Sequence, residues 1–368
     1  MLKRIKILII VGARPNFIKV APLFEEFKKH KKIEPILVHT GQHYDYEMSK
    51  VFFQELEIPK PNYNLNIGSG MHGEQTGRIM MAIEKVYIKE NPDLVVAVGD
   101  VNSALAGALV ATKLHIPVAH IEAGNRMFNM KMPEEINRVL VDRISNLNFC
   151  VTKSSVGNLA KEGIKRGVYF TGDTMLDAFL HLSASVKKNE KSLLKKYSLE
   201  CKKYILLTLH RPANVDDSGK LKEILQAVIK AEENIIFPVH PRTKKQINKI
   251  TNDLKNLKNF SNIKLIKPVA YTEMVILEKN AKKICTDSGG VQKEAYWLKI
   301  PCITLLESQG WPELHDDGWN LLVGTNFAKI RDGIKKFNPQ KKQKKHFGDG
   351  DASRKIIRIL KRYFMIYD

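Results

Sequence analysis

The sequence predicts an α/β protein of two doubly wound, parallel-sheet domains facing one another across a cleft, and three observations carry that reading. Short apolar runs rich in Val, Ile and Leu alternate with amphipathic stretches of helical period through most of the 368 residues. The runs lack polar alternation, as strands covered on both faces do, and the helices between them make βαβ units with parallel strands. The runs fall into two series separated by a polar, lysine-rich interval, Ser183–Lys203. A chain of this length suits about two domains, each large enough for its own core.

The first series is Ile5–Val11, Ile36–His39, Leu94–Val98, Val118–Ile121 and Phe149–Val151. The second is Tyr204–Leu209, Ile235–Val239, Ile263–Ile266, Lys283–Thr286 and Cys302–Leu306. Residues 1–180 are assigned to the first domain and 181–350 to the second. The tail Asp351–Phe364 opens on a capping residue and keeps a helical period, so the helix within 351–368 is expected to pack back on the first domain.

The formal net charge is +21, which invites a nucleic-acid reading. The lysines are spread along the chain, however, with no aromatic-plus-basic stripe, and no nucleic-acid partner is expected. Solvated lysine faces account for most of the charge, and a positive field also suits a small polyanion such as a nucleotide diphosphate. Cys150, Cys201, Cys285 and Cys302 show no CxxC spacing, which reads as reduced thiols in a cytoplasmic protein. The first apolar run is only about seven residues long and precedes no small-residue cleavage site, so it reads as a strand and not a leader. Nothing approaches the roughly 18–20 apolar residues of a membrane span.

Chemically loaded residues cluster where strands hand over to helices, the edge at which α/β sheets bind ligands. In the first domain "VGARPNFIK" places Arg14 and Lys19 after the first strand, and "VAVGDVNSALAG" places Asp100 after another, with Asn102 and Ser103 able to cap the next helix. "VAHIEAGNR" adds Glu122 and Arg126, and "MPEEINRVL" starts a helix with Glu134 and Glu135 in its first turn. In the second domain "LLTLHRPANVDD" supplies His210 and Arg211, and "FPVHPRT" supplies His240 and Arg242. "ICTDSGGVQKEAYW" runs a strand into Asp-Ser-Gly-Gly and then a helix carrying Glu294; glycines permit close approach, and the helix start offers N–H groups to a phosphate.

Each residue has a plainer reading. Asp287 or Ser288 alone would cap a helix, Asp100 would do the same, and Glu134 and Glu135 would complement a helix dipole. The plain readings weaken together because so many acids, histidines and arginines share one edge. No HExxH or Cys/His cluster points to a metal, and neither GxGxxG after the first strand nor GxxxxGK[ST] is present. Carboxylates sit in one domain, and a phosphate cradle with histidines and arginines in the other. That division fits a substrate with a diphosphate at one end and proton chemistry at the other. Crowded carboxylates raise one another's pKa, which suits one as base and another as acid.

Read together, "GARPNFIK", "TGQHYDYEM", "NLNIGSGMHGEQTGR", "GDVNSALAGALVA", "HIEAGNR", "MPEEINRVLVD", "LHRPANVDD", "PVHPRTKK" and "TDSGGVQKEA" resemble the non-hydrolysing UDP-N-acetylglucosamine 2-epimerase family along nearly the whole chain. The resemblance implies paired Rossmann-like domains of the GT-B kind, a homodimer, and inversion at C2 of a UDP-sugar without metal or other cofactor. UDP leaves in an elimination that gives a 2-acetamidoglucal, then adds back after protonation of the other face.

By the same resemblance Asp100, Glu122 and Glu134 are the catalytic carboxylates, with Glu122 and Glu134 sharing the proton work. His210 and Arg211 lie beside the diphosphate, Arg14 and Lys19 are the basic pair of the first domain, and Ser288, Gly289 and Gly290 cradle phosphate. Glu294 is the ribose partner, and Pro268, Tyr271 and Met274 border the uracil. Gln42, His43, His240 and Arg242 match the region of an activating UDP-GlcNAc site.

The chain departs from the family pattern where members carry a "TERPE"-like segment. Here "LLESQGWPELHDDGWN" puts Trp311 at the arginine position, as in relatives acting on UDP-2,3-diacetamido-2,3-dideoxyglucuronate. A 2-epimerase of that sugar is therefore the alternative within the family. A GT-B glycosyltransferase, a hydrolysing epimerase and a non-catalytic nucleotide-sugar binder are the alternatives outside it.

Overall fold

A computed structural model describes residues 4–41, 58–186, 189–250, 262–308 and 310–365. The chain forms two compact units, Met1–His181 with Lys345–Asp368, and Leu182–Lys344. Among the described residues no helix is long and apolar enough to cross a membrane.

The first unit is built on a parallel sheet of β1 (Ile5–Val11), β2 (Ile33–His39), β3 (Tyr63–Asn64), β4 (Leu94–Val98), β5 (Val118–Ala123), β6 (Leu147–Cys150) and β7 (Val168–Phe170), in the order β3-β2-β1-β4-β5-β6-β7. The chain winds outward from β1 to β3, then returns to place β4 on the other side of β1. The strand order therefore reverses between β1 and β4, where Leu8 lies opposite both Ile36 and Val95. Every residue of β4 is buried, because helices cover both faces of a sheet whose strands are all parallel. Leu8, Ile10, Val38, Val95, Ala97 and Val118 form one core face with Ile83, Tyr87, Ala104 and Ala108 from the helices His72–Glu90 and Asn102–Lys113.

The second unit repeats the winding with β8 (Ile205–Thr208), β9 (Ile235–Pro238), β10 (Ile263–Ile266), β11 (Lys283–Thr286), β12 (Cys302–Thr304) and β13 (Asn320–Leu322), in the order β10-β9-β8-β11-β12-β13. Its reversal lies between β8 and β11, whose last residues, Thr208 and Thr286, are register partners. Leu207, Phe237, Cys285, Ile303 and Leu305 pack against Leu221, Ile224, Val228, Ile330 and Ile334.

These two parallel-sheet α/β units are the fold class read from the sequence. The runs at Ile5–Val11, Leu94–Val98, Ile263–Ile266 and Lys283–Thr286 coincide with strands, and the other predicted runs overlap strands with shifted ends. β3, β7 and β13 are not among the predicted runs. Each is a two- or three-residue edge strand with partly exposed side chains, so burial puts little demand on its sequence. Cys150, Cys285 and Cys302 are buried free thiols, and Cys201 is exposed.

The tail forms the helix Ala352–Tyr363, which buries Ile356, Ile357 and Leu360 and packs on the helix Arg14–Phe27 within the first unit. Its cap differs from the expectation. Asp351 makes no capping hydrogen bond through its side chain and pairs with Lys355 at 2.6 Å. The cap comes instead from Asp177 of the helix Thr174–Ser185, whose carboxylate accepts from the main-chain N–H of Ala352 (3.1 Å) and Ser353 (2.7 Å) and from Ser353 Oγ (2.6 Å). A capping residue distant in sequence carries no local signature.

Candidate active site

In the first unit the site residues gather at the β1–β4 reversal. β1 ends at Val11, and Gly12 and Ala13 turn the chain into the helix Arg14–Phe27. The turn is tight because Ser103 packs against it: a Cβ on Gly12 would lie 2.0 Å from Ser103 Oγ. Asn16 locks the turn. Its Oδ1 accepts from the N–H groups of Gly12 (3.1 Å) and Ala13 (2.9 Å), and its Nδ2 donates to Val98 O at 3.0 Å, tying β1 to the end of β4. Arg14 is the first residue of the helix, and only its backbone is described.

Lys19 lies one turn further on, buried, with its ammonium paired to Glu122 Oε2. Glu122 reaches it through an irregularity in β5. The register to β6 shifts between Ile121 and Ala123, and Glu122 has φ +74°. A regular pleat would put Glu122 on the same face as His120, and a bulge re-aims such a side chain. His120 holds the irregular strand from behind: Nε2 donates to Gly99 O at 2.8 Å, and Nδ1 lies 2.6 Å from Asp142 Oδ1. Asp142 also accepts from Gly124 N (3.0 Å) and Arg126 Nη1 (2.7 Å). Arg126, placed at the strand edge by sequence, is turned inward; Nε and Nη2 grip Glu162, each at 2.7 Å.

Asp100 follows Gly99 at the end of β4 and is bound by Arg138 Nη2, while its main-chain carbonyl accepts from Asn137 Nδ2 at 2.8 Å. Arg138 bridges to Glu135 Oε2 at 2.6 Å. Burial alone would lower the Arg138 pKa, but the flanking carboxylates of Asp100 and Glu135 outweigh it and raise it. The helix Pro133–Ile144 thus separates the paired glutamates. Glu135 is buried and clamps the preceding loop through Met127 N (3.0 Å) and Phe128 N (2.8 Å), whereas Glu134 is exposed. Asn102 and Ser103 do not cap their helix as expected; Val101 occupies the cap position. Asn102 faces Gln75 (2.9 Å) and Asn137 (3.1 Å), and Ser103 faces Thr40 (2.8 Å). These polar links shape the loop ends around Asp100 and Gly12.

In the second unit the β8–β11 reversal joins His210, Arg211 and the Asp-Ser-Gly-Gly turn. Ser288 Oγ caps the helix Gly289–Trp297 by accepting from Val291 N at 3.4 Å, and Gly289 and Gly290 form the helix start. Asp287 is fully buried. Its carboxylate accepts from His210 N, Arg211 N and Asn214 Nδ2, and its main-chain carbonyl accepts from Arg211 Nε at 2.8 Å. Burial would raise the Asp287 pKa, but the His210 imidazole and these main-chain donors overcome it and hold the carboxyl below its ordinary range. The His240 ring lies 6.0 Å from that of His210. Arg242, exposed, pairs with Asp216 at 3.1 Å.

A Cβ placed on Gly289 would stand 3.6 Å from Trp311 Nε1 and 3.9 Å from Arg211 Nη2. The buried Trp311 indole and the Arg211 guanidinium therefore flank one helix start. Lys293 Nζ lies 4.5 Å over the Trp311 ring, a cation–π arrangement. Glu294, buried on the next turn, accepts from Tyr271 Oη at 2.6 Å. Tyr271 opens the helix Tyr271–Asn280, with Met274 partly buried in its first turn and Pro268 exposed in the preceding loop. Gln42 and His43 lie outside the described residues.

The structure thus joins Lys19, Glu122 and Asp100 in one unit, and His210, Arg211, Ser288, Gly289 and Gly290 in the other, with the Tyr271–Glu294 pair alongside. Sequence reasoning passed over Asn16, His120, Arg138 and Asp287 as organising residues. Arg138 carried a signal, standing three and four residues beyond Glu135 and Glu134. The roles of Asn16, His120 and Asp287 depend on contacts distant in sequence.

A family model described as UDP-N-acetylglucosamine 2-epimerase matches residues 25–361. A UDP-N-acetylglucosamine 2-epimerase homolog of Methanococcus maripaludis is 53% identical over 97% of this chain and 99% of its own. A UDP-2,3-diacetamido-2,3-dideoxy-D-glucuronate 2-epimerase of Pseudomonas aeruginosa is 44% identical over 87% of this chain and 88% of its own. The structure of Methanocaldococcus jannaschii UDP-GlcNAc 2-epimerase, in complex with UDP-GlcNAc and UDP, superposes with a TM-score of 0.90 at 46% identity, covering 97% of this chain and all of that one. With matches of this extent along both units, the chain belongs to the UDP-N-acetylglucosamine 2-epimerase family.

Proposed function

We propose that the protein is a non-hydrolysing UDP-GlcNAc 2-epimerase, an isomerase that interconverts UDP-GlcNAc and UDP-ManNAc by eliminating and re-adding UDP. The observation that carries this reading is the placement of two complementary charge sets at the two strand-order reversals, in a chain of this family. The C2–H of the sugar is not acidic, so cleavage of C1–O must develop positive charge at C1 while the departing diphosphate is stabilised. His210, Arg211 and the helix start at Ser288, Gly289 and Gly290 bind the diphosphate, and Glu294 with Tyr271 binds the ribose. Arg14 adds positive charge to the diphosphate. Glu122 and Glu134 exchange the C2 proton, with Lys19 holding Glu122 and Arg138 holding Asp100 in support. Pro268 and Met274 border the uracil. Gln42, His43, His240 and Arg242 belong to a regulatory UDP-GlcNAc contact, and the active form is a cytoplasmic homodimer.

The test is incubation with UDP-GlcNAc in D₂O, followed by NMR of the sugar. Deuterium at C2 with a UDP-ManNAc signal is expected; free ManNAc would show hydrolysis instead, and binding without exchange of any UDP-sugar would overturn the enzymatic reading. Glu134→Gln abolishes exchange and leaves UDP binding nearly intact.

Trp311 and its Lys293 partner favour a second reading, action on UDP-2,3-diacetamido-2,3-dideoxyglucuronate. Exchange with that substrate and none with UDP-GlcNAc would decide for it.

A further inference from the structure

We propose that Asp287 is the positioning residue for His210: it holds the ring with Nδ1 protonated and turned inward, so that Nε2 alone faces the diphosphate. The proposal rests on the reading of His210 as the histidine beside the diphosphate and gives a role to a residue that reading leaves unassigned.

Asp287 is fully buried at the end of β11. His210 N lies 3.1 Å from Oδ1 and 3.2 Å from Oδ2, Arg211 N lies 3.0 Å from Oδ2, and Asn214 Nδ2 lies 3.3 Å from Oδ2. Each of these neighbours is an N–H donor, and an ionised carboxylate can only accept. His210 Nδ1 lies 3.2 Å from Oδ1 of the same group. A neutral imidazole has one donor nitrogen and one acceptor nitrogen, so facing an acceptor at Nδ1 places the proton there.

The ring's surroundings support that orientation. The His210 side chain is 43% exposed while Asp287 is not exposed at all, so the ring has one held side and one open side. Arg211, whose Nε donates to Asp287 O, and His240, with its ring 6.0 Å away, are chargeable groups beside it. Asn214 also donates to Leu305 O at 2.8 Å, and Ser288 N donates to Thr286 Oγ1 at 2.9 Å. The carboxylate therefore ties the end of β11 to the segment after β8, Asn214 ties that segment to Leu305 beyond β12, and the imidazole inherits that rigidity. When the ring is cationic, Nε2–H gives a hydrogen bond to the diphosphate oxygen that takes up charge as C1–O breaks, and Asp287 balances the imidazolium from behind. Fixed groups of this kind act without reorganisation during reaction.

The experiment is a two-bond ¹H–¹⁵N correlation spectrum of histidine-labelled protein, with His210 assigned by its loss in His210→Asn. The wild-type ring is expected as the Nδ1–H tautomer when neutral. Asp287→Asn moves it toward Nε2–H and slows C2 exchange about 10²–10³-fold, while UDP affinity changes only a few-fold. Adding Asp287→Asn to His210→Asn slows exchange no further. A neutral wild-type ring protonated at Nε2 would overturn the proposal, as would a further large loss in the double variant, which would mark Asp287 as structural support alone. Should Asp287→Asn fail to fold, the wild-type tautomer decides by itself. Absence of C2 exchange in a wild-type protein with the expected tautomer would sink the proposed activity and leave the ring geometry standing.

Discussion

Lys19 and Glu122 form an ion pair whose two sides come from different crossovers of the first sheet: the ammonium from the first turns of the helix after β1, and the carboxylate from the irregular end of β5. The side chains are only 10% and 12% exposed, so the pair is largely shielded from water. The pair joins a cation and a catalytic candidate that are 103 residues apart in sequence.

Lys19→Met takes the ammonium away from a mostly buried Glu122 carboxylate. Removing one partner of a buried pair costs about 3–5 kcal/mol, and the partial exposure here places the loss at or below the lower end of that range. Thermal unfolding is expected to fall by several degrees, together with a drop in C2 exchange. Glu122→Gln removes the charge while keeping the shape, and lowers exchange by about 10²–10⁴ with a smaller effect on melting. Equal melting losses in the two variants would argue against this picture.

Gly99 is the close neighbour of that pair. Its φ is +67°, and an added Cβ would lie 3.2 Å from Lys19 Nζ, 3.4 Å from Asn16 Nδ2 and 3.5 Å from Glu122 Oε2. Gly99→Ala combines left-handed backbone strain of about 1–2 kcal/mol with crowding of the ion pair. Exchange activity is expected to fall more than UDP affinity, as titration calorimetry against UDP would show.

The pair Glu278 and Glu294 predicts a pH effect on stability. Burial, with the Glu294 carboxyl beside it, raises the Glu278 pKa well above its ordinary value. The folded protein therefore holds a proton that the unfolded chain releases above about pH 4.3. For that group, stability is fully present below the unfolded value and declines with rising pH until the folded value is passed, at about 1.4 kcal/mol per pH unit. Glu278→Gln removes the decline. Urea unfolding at pH 5 and pH 8 is expected to show the variant gaining on the wild type as pH rises; parallel curves would contradict the assignment.

Trp311→Phe keeps a ring over Lys293 and deletes the indole N–H beside Gly289. A hydrogen bond to a charged group contributes about 1.5–3 kcal/mol, so KM for the UDP-sugar is expected to rise about tenfold or more with kcat little changed. A change confined to kcat would place Trp311 at the reacting carbons instead.

Much of this molecule is written in local pattern. Uninterrupted apolar runs bounded by glycine, proline or polar turns marked the buried strands, because a strand covered on both faces must be apolar throughout. Edge strands β3, β7 and β13 escaped notice because partial exposure relaxes that demand. Arg14, Lys19, Asp100, Glu122, His210 and the Asp-Ser-Gly-Gly turn were legible as strand-end residues, since a βαβ unit delivers whatever follows its strand to one edge of the sheet.

What only the tertiary structure decided is which of these residues meet, and in what state. The sequence shows Glu134 and Glu135 as equivalent neighbours; the fold turns Glu135 inward onto Arg138 and two main-chain N–H groups and leaves Glu134 exposed. Asp287 looked like a helix cap and is instead the anchor of the His210 loop, 77 residues away. The tail helix takes its cap from Asp177 and not from its own Asp351. In each case a buried polar group must find a partner wherever the packing supplies one, and that partner is set by the winding of the strands, which no local stretch of sequence contains.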